Sequence, residues 1–343
     1  MRRKPLPPPR SVPERPVPPA ASSAAGSPQA AAGDEQFPAP ERHDLGGVHP
    51  ASPRRRRLFD PIHGWFRRFE RAANLWLSHY FFAHIAGIHA VYTLQLDRHL
   101  TVSEGEITVR GLPEPFRGLR VLLVTDLHTG PFLAPAALAW VFQRLMRLAP
   151  DLILVGGDVA TTRIEDLERF ETAFRVLQAP LGVFGVLGNH DHYTGDPLGV
   201  VRFLEGAGVQ MLMNRAVKLE RGGAVLHLAG IDDLNSGAPD LEAALTGPPH
   251  LLLSHNPDVF FVAALRGVPL VLSGHTHGGQ VRIPGLPVLV RMSRFRLDEG
   301  HYATGDAQLV VSRGLGVSGI PLRAFCPPEA VLLTLQPAGE MSS

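Results

Sequence analysis

Residues 120–128 read RVLLVTDLH. An unbroken apolar run of this length, bounded by polar residues, reads as a strand covered on both faces. Directly after it, Thr125-Asp126-Leu127-His128 sets a carboxylate and an imidazole two positions apart. The arrangement recurs. The apolar run 152–155 closes on Gly156-Gly157-Asp158, and 183–187 on Gly188-Asn189-His190-Asp191. The run 251–254 leads into His255-Asn256, and 270–273 into Gly274-His275-Thr276-His277. Further strand-like runs cover 225–229, 309–312 and 330–335. Helical stretches fall at 134–148, 165–177, 198–205 and 258–265. Strands alternating with helices predict an α/β fold, and the β-rich second half predicts mixed rather than purely parallel sheets.

A single aspartate at a strand end is often a helix cap, and a single histidine is more often a packed or surface group than a ligand. The Asp-x-His and His-x-His pairs carry more. Residues two apart project to the same side of an extended segment, so both side chains reach one ion. Neighbouring glycines let the backbone approach the site. Asp126, His128, Asp158, Asn189, His255, His275 and His277 offer carboxylate, imidazole and amide groups without thiolate. That set suits manganese, iron, zinc or cobalt ions. It also exceeds the needs of one tetrahedral ion, which points to two divalent ions sharing a bridging carboxylate. Two such ions about 3.5–4 Å apart can bind a bridging hydroxide and clamp a phosphoryl group.

In order and spacing, Asp126-x-His128, Gly157-Asp158, Gly188-Asn189-His190-Asp191, His255 and Gly274-His275-x-His277 resemble the calcineurin-like metallophosphoesterases, over roughly residues 119–335. The resemblance implies a four-layer α/β/β/α sandwich with mixed sheets and a site at the C-terminal ends of the strands. It implies that Asp126, His128 and His277 hold one metal, that Asn189, His255 and His275 hold the other, and that Asp158 bridges. By the same resemblance His190 contacts the phosphoryl group and assists the leaving oxygen, and Asp191 orients His190. His192, one place beyond the motif, reads as a rim or structural residue. The tail from Arg313-Gly314-Leu315-Gly316 to Pro327-Pro328-Glu329, and the turn Gly230-Ile231-Asp232-Asp233, look like the small bacterial YkuE- and YaeI-type branch. That branch includes enzymes cleaving UDP-diacylglucosamine, so a phosphodiester or pyrophosphate substrate is implied, with Arg313 and Arg323 as phosphate contacts.

The rest of the 343-residue chain lies outside the resemblance. Residues 1–57 are rich in Pro, Ala, Ser and Arg without periodicity, and are expected to form a disordered arm. Residues 58–100 form an aromatic, helical segment, and 101–338 the catalytic domain. From Asn74 to Leu96 no Asp, Glu, Lys or Arg occurs, yet His79, His84 and His89 interrupt the run. The segment admits three readings: a transmembrane anchor, an interfacial helix with Arg67, Arg68 and Arg71 on anionic lipid, or a helix docked on the catalytic domain. A cleaved signal peptide is not expected, because the apolar stretch comes late.

A net charge of +1 gives no global argument for nucleic acid, and the catalytic half has no basic run with interleaved aromatics. The single cysteine, Cys326, excludes an internal disulfide framework and a Cys-rich zinc module. The reading is therefore a dinuclear-metal hydrolase of phosphodiester or pyrophosphate bonds. Its substrate is expected to be lipid-linked and its location membrane-associated through residues 58–96, with a cytoplasmic location as the alternative. The competing function is a non-catalytic metal-binding scaffold on the same fold.

Overall fold

A computed structural model describes residues 1–13, 72–73, 76–82, 85 and 87–338. Among the described residues fourteen strands form two seven-stranded sheets. In chain order they are β1 (Arg2–Pro5), β2 (Arg10–Ser11), β3 (Thr101–Val109), β4 (Leu119–Val124), β5 (Leu152–Val155), β6 (Val183–Gly185) and β7 (Gln210–Met211). There follow β8 (Arg215–Arg221), β9 (Ala224–Gly230), β10 (Leu251–Leu253), β11 (Leu270–Ser273), β12 (Gly300–Thr304), β13 (Ala307–Val311) and β14 (Glu329–Pro337). The first sheet runs β1-β3-β14-β4-β5-β6-β7 and the second β2-β12-β13-β11-β10-β9-β8. Both are mixed. β4 to β7 are parallel while β14 opposes β4, and β9, β10, β11 and β13 are parallel while β8 runs against β9 and β12 against β13.

Strand periodicity explains the layers. In β4, Leu119, Val121 and Leu123 face the second sheet, while Leu122 and Val124 face the helices outside. In β10, Leu251 and Leu253 face inward and Leu252 outward. Strands apolar on both faces need cover on both faces, which gives helix, sheet, sheet and helix in succession. On the outer side of the first sheet, α2 (Pro135–Met146) buries Leu138, Val141, Phe142 and Leu145, an i, i+3, i+4, i+7 stripe that starts behind a proline at its first turn. The remaining helices are α1 (Ile88–His99), α3 (Glu171–Phe174), α4 (Asn189–Tyr193), α5 (Pro197–Gly206), α6 (Leu241–Ala244) and α7 (Phe260–Leu265). The four-layer sandwich expected from the sequence is the fold observed.

Two expectations change. The helix expected over 165–177 is broken into 3₁₀ turns, Ile164–Asp166 and Glu168–Phe170, before α3. Leu167, Phe170 and Ala173 are buried at a spacing of three, the 3₁₀ period. The disordered arm does not begin at residue 1. β1 pairs in parallel with β3, and β2 with β12, so residues 1–13 stitch an edge of each sheet. These pairings use backbone groups, which composition does not encode, and Pro5 is tolerated because β1 is an edge strand. The remainder of the expected arm, residues 14–57, lies outside the described residues.

Parts of the aromatic segment also lie outside them, including residues 58–71. Within the described parts, Trp76–Phe81 forms a π-helical turn, and α1 docks on the domain with Tyr92 and Leu96 buried in the outer core. The Tyr92 hydroxyl donates to the Leu315 carbonyl. Gln95 exchanges two hydrogen bonds with the Arg323 backbone, at 3.2 and 2.9 Å. Among the described residues no helix is long and apolar enough to cross a membrane. For α1 the docked reading therefore holds. Leu96→Ala is expected to cost about 2–5 kcal/mol in urea unfolding, against about 0.5 kcal/mol or less for exposed Leu94→Ala. Equal, small effects would mean that α1 is not part of the folded unit.

Candidate metal centre

The two sheets deliver their chemistry to one place. Adjacent parallel strands β4, β5 and β6 end at Asp126 and His128, at Asp158, and at Asn189 with His190; β10 and β11 end at His255 and at His275 with His277. Loops past the carboxyl ends of parallel strands are where α/β folds build their sites. The backbone there is strained. Asp126, His128, Asp158, His275 and His277 all have φ between 46° and 73°, left-handed values that cost about 1–3 kcal/mol each for residues with a Cβ. The loops hold one another in that state. Asp126 N donates to Gly157 O and His128 N to Asp158 O, both at 3.0 Å, and His275 N donates to Asp126 Oδ1 at 3.0 Å. Close approach also demands glycine: a Cβ at Gly188 would fall on Asp158 Oδ1, and one at Gly274 on Thr125 Oγ1.

The side chains form two groups with a shared member. Ligand atoms of Asp126, His128, Asp158 and His277 lie within 4.8 Å of one another, as do those of Asp158, His255 and His275. His128 Nε2 is 2.9 Å from His277 Nε2 and 3.6 Å from Asp158 Oδ2. His255 Nε2 is 3.3 Å from the same Asp158 oxygen and 3.1 Å from His275 Nδ1. Nitrogens this close cannot both carry protons, and burial with the neighbouring positive charge keeps them neutral. His275 is pushed down to about 3, and His128 and His277 are held well below the ordinary imidazole range. Burial opposes ionisation of Asp158, but the charge and hydrogen bond of His255 outweigh it and hold the carboxylate ionised. Burial likewise opposes a charged His255, yet Asp158, Asp126 and Asp233 raise it to about 10. Neutral imidazoles and an ionised bridging carboxylate are the forms that bind metal.

Asn189 supplies an independent test of fit. Its Oδ1 is buried with no hydrogen-bond partner. An orphaned buried acceptor costs about 1–3 kcal/mol, and a cation beside it removes that cost. The residues present fit two divalent ions.

A family model described as calcineurin-like phosphoesterase matches residues 119–279. The chain is 30% identical to the Bacillus subtilis (strain 168) metallophosphoesterase YkuE, over 71% of this chain and 89% of that protein. It is 30% identical to a metallophosphoesterase of Aquifex aeolicus (strain VF5), over 70% of this chain and 93% of that one. The chain belongs to the calcineurin-like metallophosphoesterases. A Danio rerio protein named "Transmembrane protein with metallophosphoesterase domain" is 32% identical over 74% of this chain, and this chain covers 62% of it. A metallophosphoesterase from Helicobacter pylori (strain J99 / ATCC 700824) is covered to 61%. The chain thus spans about three-fifths of some of its relatives and nearly all of others.

Within this metallophosphoesterase site, His190 is fixed by its Nδ1, 2.6 Å from the Thr161 carbonyl, which makes Nδ1–H the donor and leaves Nε2 free for chemistry. Its backbone N–H donates to Asp158 Oδ1 at 2.8 Å. The expectation that Asp191 orients His190 is corrected. Asp191 accepts from Gly188 N at 2.9 Å and from Ala160 N at 2.8 Å, stapling the loops after β5 and β6, while the Thr161 carbonyl sets the His190 ring. Burial, helped by Asp158, raises Asp191 to about 7. Arg313 and Arg323, the expected phosphate contacts, both bond to protein acceptors, while Arg313 Nε is buried without a hydrogen-bond partner. Arg313 Nη2 pairs with Glu329 at 2.8 Å. Buried Arg323 donates to Gly316 O at 2.8 Å and Arg313 O at 2.7 Å, and its Nη2 lies 3.4 Å from His277 Nδ1. His192 pairs with Asp232 at 2.7 Å, a structural role.

Sequence reasoning missed Asn235, whose amide lies 3.3 Å from His275 Nε2, on the ring edge opposite His255. Partners of this kind fix the orientation of a ligating ring. The only signal was its position two residues after the Gly230-Ile231-Asp232-Asp233 turn, where Asp233 Oδ2 accepts from Asn235 N at 2.9 Å. With His255 raised to about 10, the metal-free site carries a proton at neutral pH that a metal must displace. Metal loading of chelator-treated protein should release protons into a weakly buffered indicator dye, and apparent affinity should rise by about ten-fold per pH unit between pH 7 and 9. Affinity flat across that range would show that His255 is not displaced.

Proposed function

We propose that this chain hydrolyses phosphodiester or pyrophosphate bonds. Asp126, His128 and His277 would hold one divalent ion, and Asn189, His255 and His275 the other, with Asp158 between them. The observation that carries the reading is that Asp158 is common to both ligand groups, beside an Asn189 carbonyl oxygen buried without a partner. Two ions bound there would activate water and neutralise phosphate charge. Manganese, iron and zinc all suit the donor set.

The protein's own groups do the rest. His190, with Nδ1–H committed to Thr161, presents Nε2 to hold a proton for the departing oxygen. Asp191 and the glycines keep the loops after β5 and β6 in register, so His190 and Asp158 stay bound to one another. The aromatic and arginine-rich segment before the domain supports a lipid-linked substrate and attachment to a membrane surface. The name of the Danio rerio relative is consistent with that attachment.

The test is hydrolysis of bis-p-nitrophenyl phosphate and p-nitrophenyl phosphate by purified chain, with manganese and with EDTA. Metal-dependent cleavage favouring the diester supports the reading, and Asp158→Ala should abolish it while circular dichroism shows an intact fold. Turnover by Asp158→Ala equal to wild type would sink the assignment. The role of His190 has its own readout. His190→Gln should lower kcat by about 10²–10⁴-fold on an alkyl phosphodiester, whose leaving group needs a proton, and much less on p-nitrophenyl esters. Equal losses on both would remove the proton-holding role.

A further inference from the structure

Six residues beyond His277 the chain enters a loop unlike the rest of the surface. Residues 283–290 read IPGLPVLV, and all but half-buried Val288 are exposed. Ile283, Leu286, Leu289 and Val290 leave 47%, 57%, 58% and 62% of their surface in solvent. Scattered exposed apolar residues are ordinary; a continuous run is a marker of an interaction site. The loop is tied beside the metal centre. Val288 packs on Gly279, where a Cβ would strike it. Arg282 N donates to Ala324 O at 2.9 Å, joining the loop to the segment that exposes Leu322 and Phe325. That segment is in turn bonded to Gln95 of α1, whose Val91 and Leu94 are exposed.

Charge and backbone chemistry select the occupant. From residue 281 to 297 there are four arginines and no acidic residue; Arg282 pairs with Glu299 and Arg291 with Asp298, at 3.1 Å, and Arg294 and Arg296 are exposed. The loop also offers few donors to an apolar phase. Pro284 and Pro287 have no N–H, and Leu286 N is already bonded to Ile283 O at 3.1 Å. A strand-pairing protein partner needs those donors; a lipid surface favours their absence.

We propose that residues 283–290 insert into the headgroup–acyl boundary of an anionic lipid surface. Arg294 and Arg296 then meet the phosphates, and the metal centre opens toward material held in the bilayer. The consequence for substrate choice rests on the proposed hydrolysis. The docking does not, and vesicle binding reads it without turnover.

The experiment is flotation of the full chain with vesicles of equal parts phosphatidylcholine and phosphatidylglycerol, and with phosphatidylcholine alone. Wild type should float with the anionic vesicles. Leu286→Asp with Leu289→Asp should lower that partition by about ten-fold or more, with hydrolysis of soluble bis-p-nitrophenyl phosphate unchanged. Arg294→Gln with Arg296→Gln should reduce partition on the anionic vesicles only. The proposal is overturned if wild type does not float, or if the aspartate variant floats like wild type, which would assign attachment to the residues before α1. It is also overturned if wild type sediments as a dimer that the aspartate variant dissolves, which would make a second copy the occupant.

Discussion

Asp158 is a carboxylate taken almost wholly out of water, and the groups that offset its desolvation are imidazoles from both sheets. In the metal-free protein one of them, His255, carries a compensating proton, while His128, His275 and His277 are held neutral by burial and by one another. A lone buried pair of this kind contributes little to stability, because desolvation offsets its attraction. The surrounding structure makes sense as the cost of gathering cation ligands in one dry place. Left-handed backbone at five ligand positions and glycines where a Cβ would collide have the same origin. Such strain persists only where the surroundings over-determine it. Here the surroundings are two sheets whose parallel strands stop at the same level.

That origin explains what the sequence disclosed. Strands β4, β5, β10 and β11 were legible because they are covered on both faces and so are apolar at all positions but Arg120 and Ser273. The donor types were legible because Asp126 and His128, two apart, reach a common point, while His275 and His277, also two apart, divide between the two groups. β8, with its RAVKLER pattern, and the two-residue β2 were not, since edge strands are held by backbone bonds and carry mostly exposed side chains. The partners of the site were hidden for a related reason. A Thr161 carbonyl under His190 leaves no mark in residue type, and Arg323 reaches His277 from 46 residues away.

Arg323 links the two parts of the molecule that the sequence kept separate. Its guanidinium is buried and spends its donors on the carbonyls of Gly316 and Arg313, beside His277. A buried cation at this point adds to the burial that keeps His277 unprotonated, which is the form a metal ligand requires. The backbone of the same arginine is gripped on both sides by Gln95 of α1. The helix that begins as a continuation of the aromatic segment therefore ends as part of the wall behind His277, a candidate metal ligand. Gln95, the Arg323 backbone and the Arg323 guanidinium thus join α1 to His277.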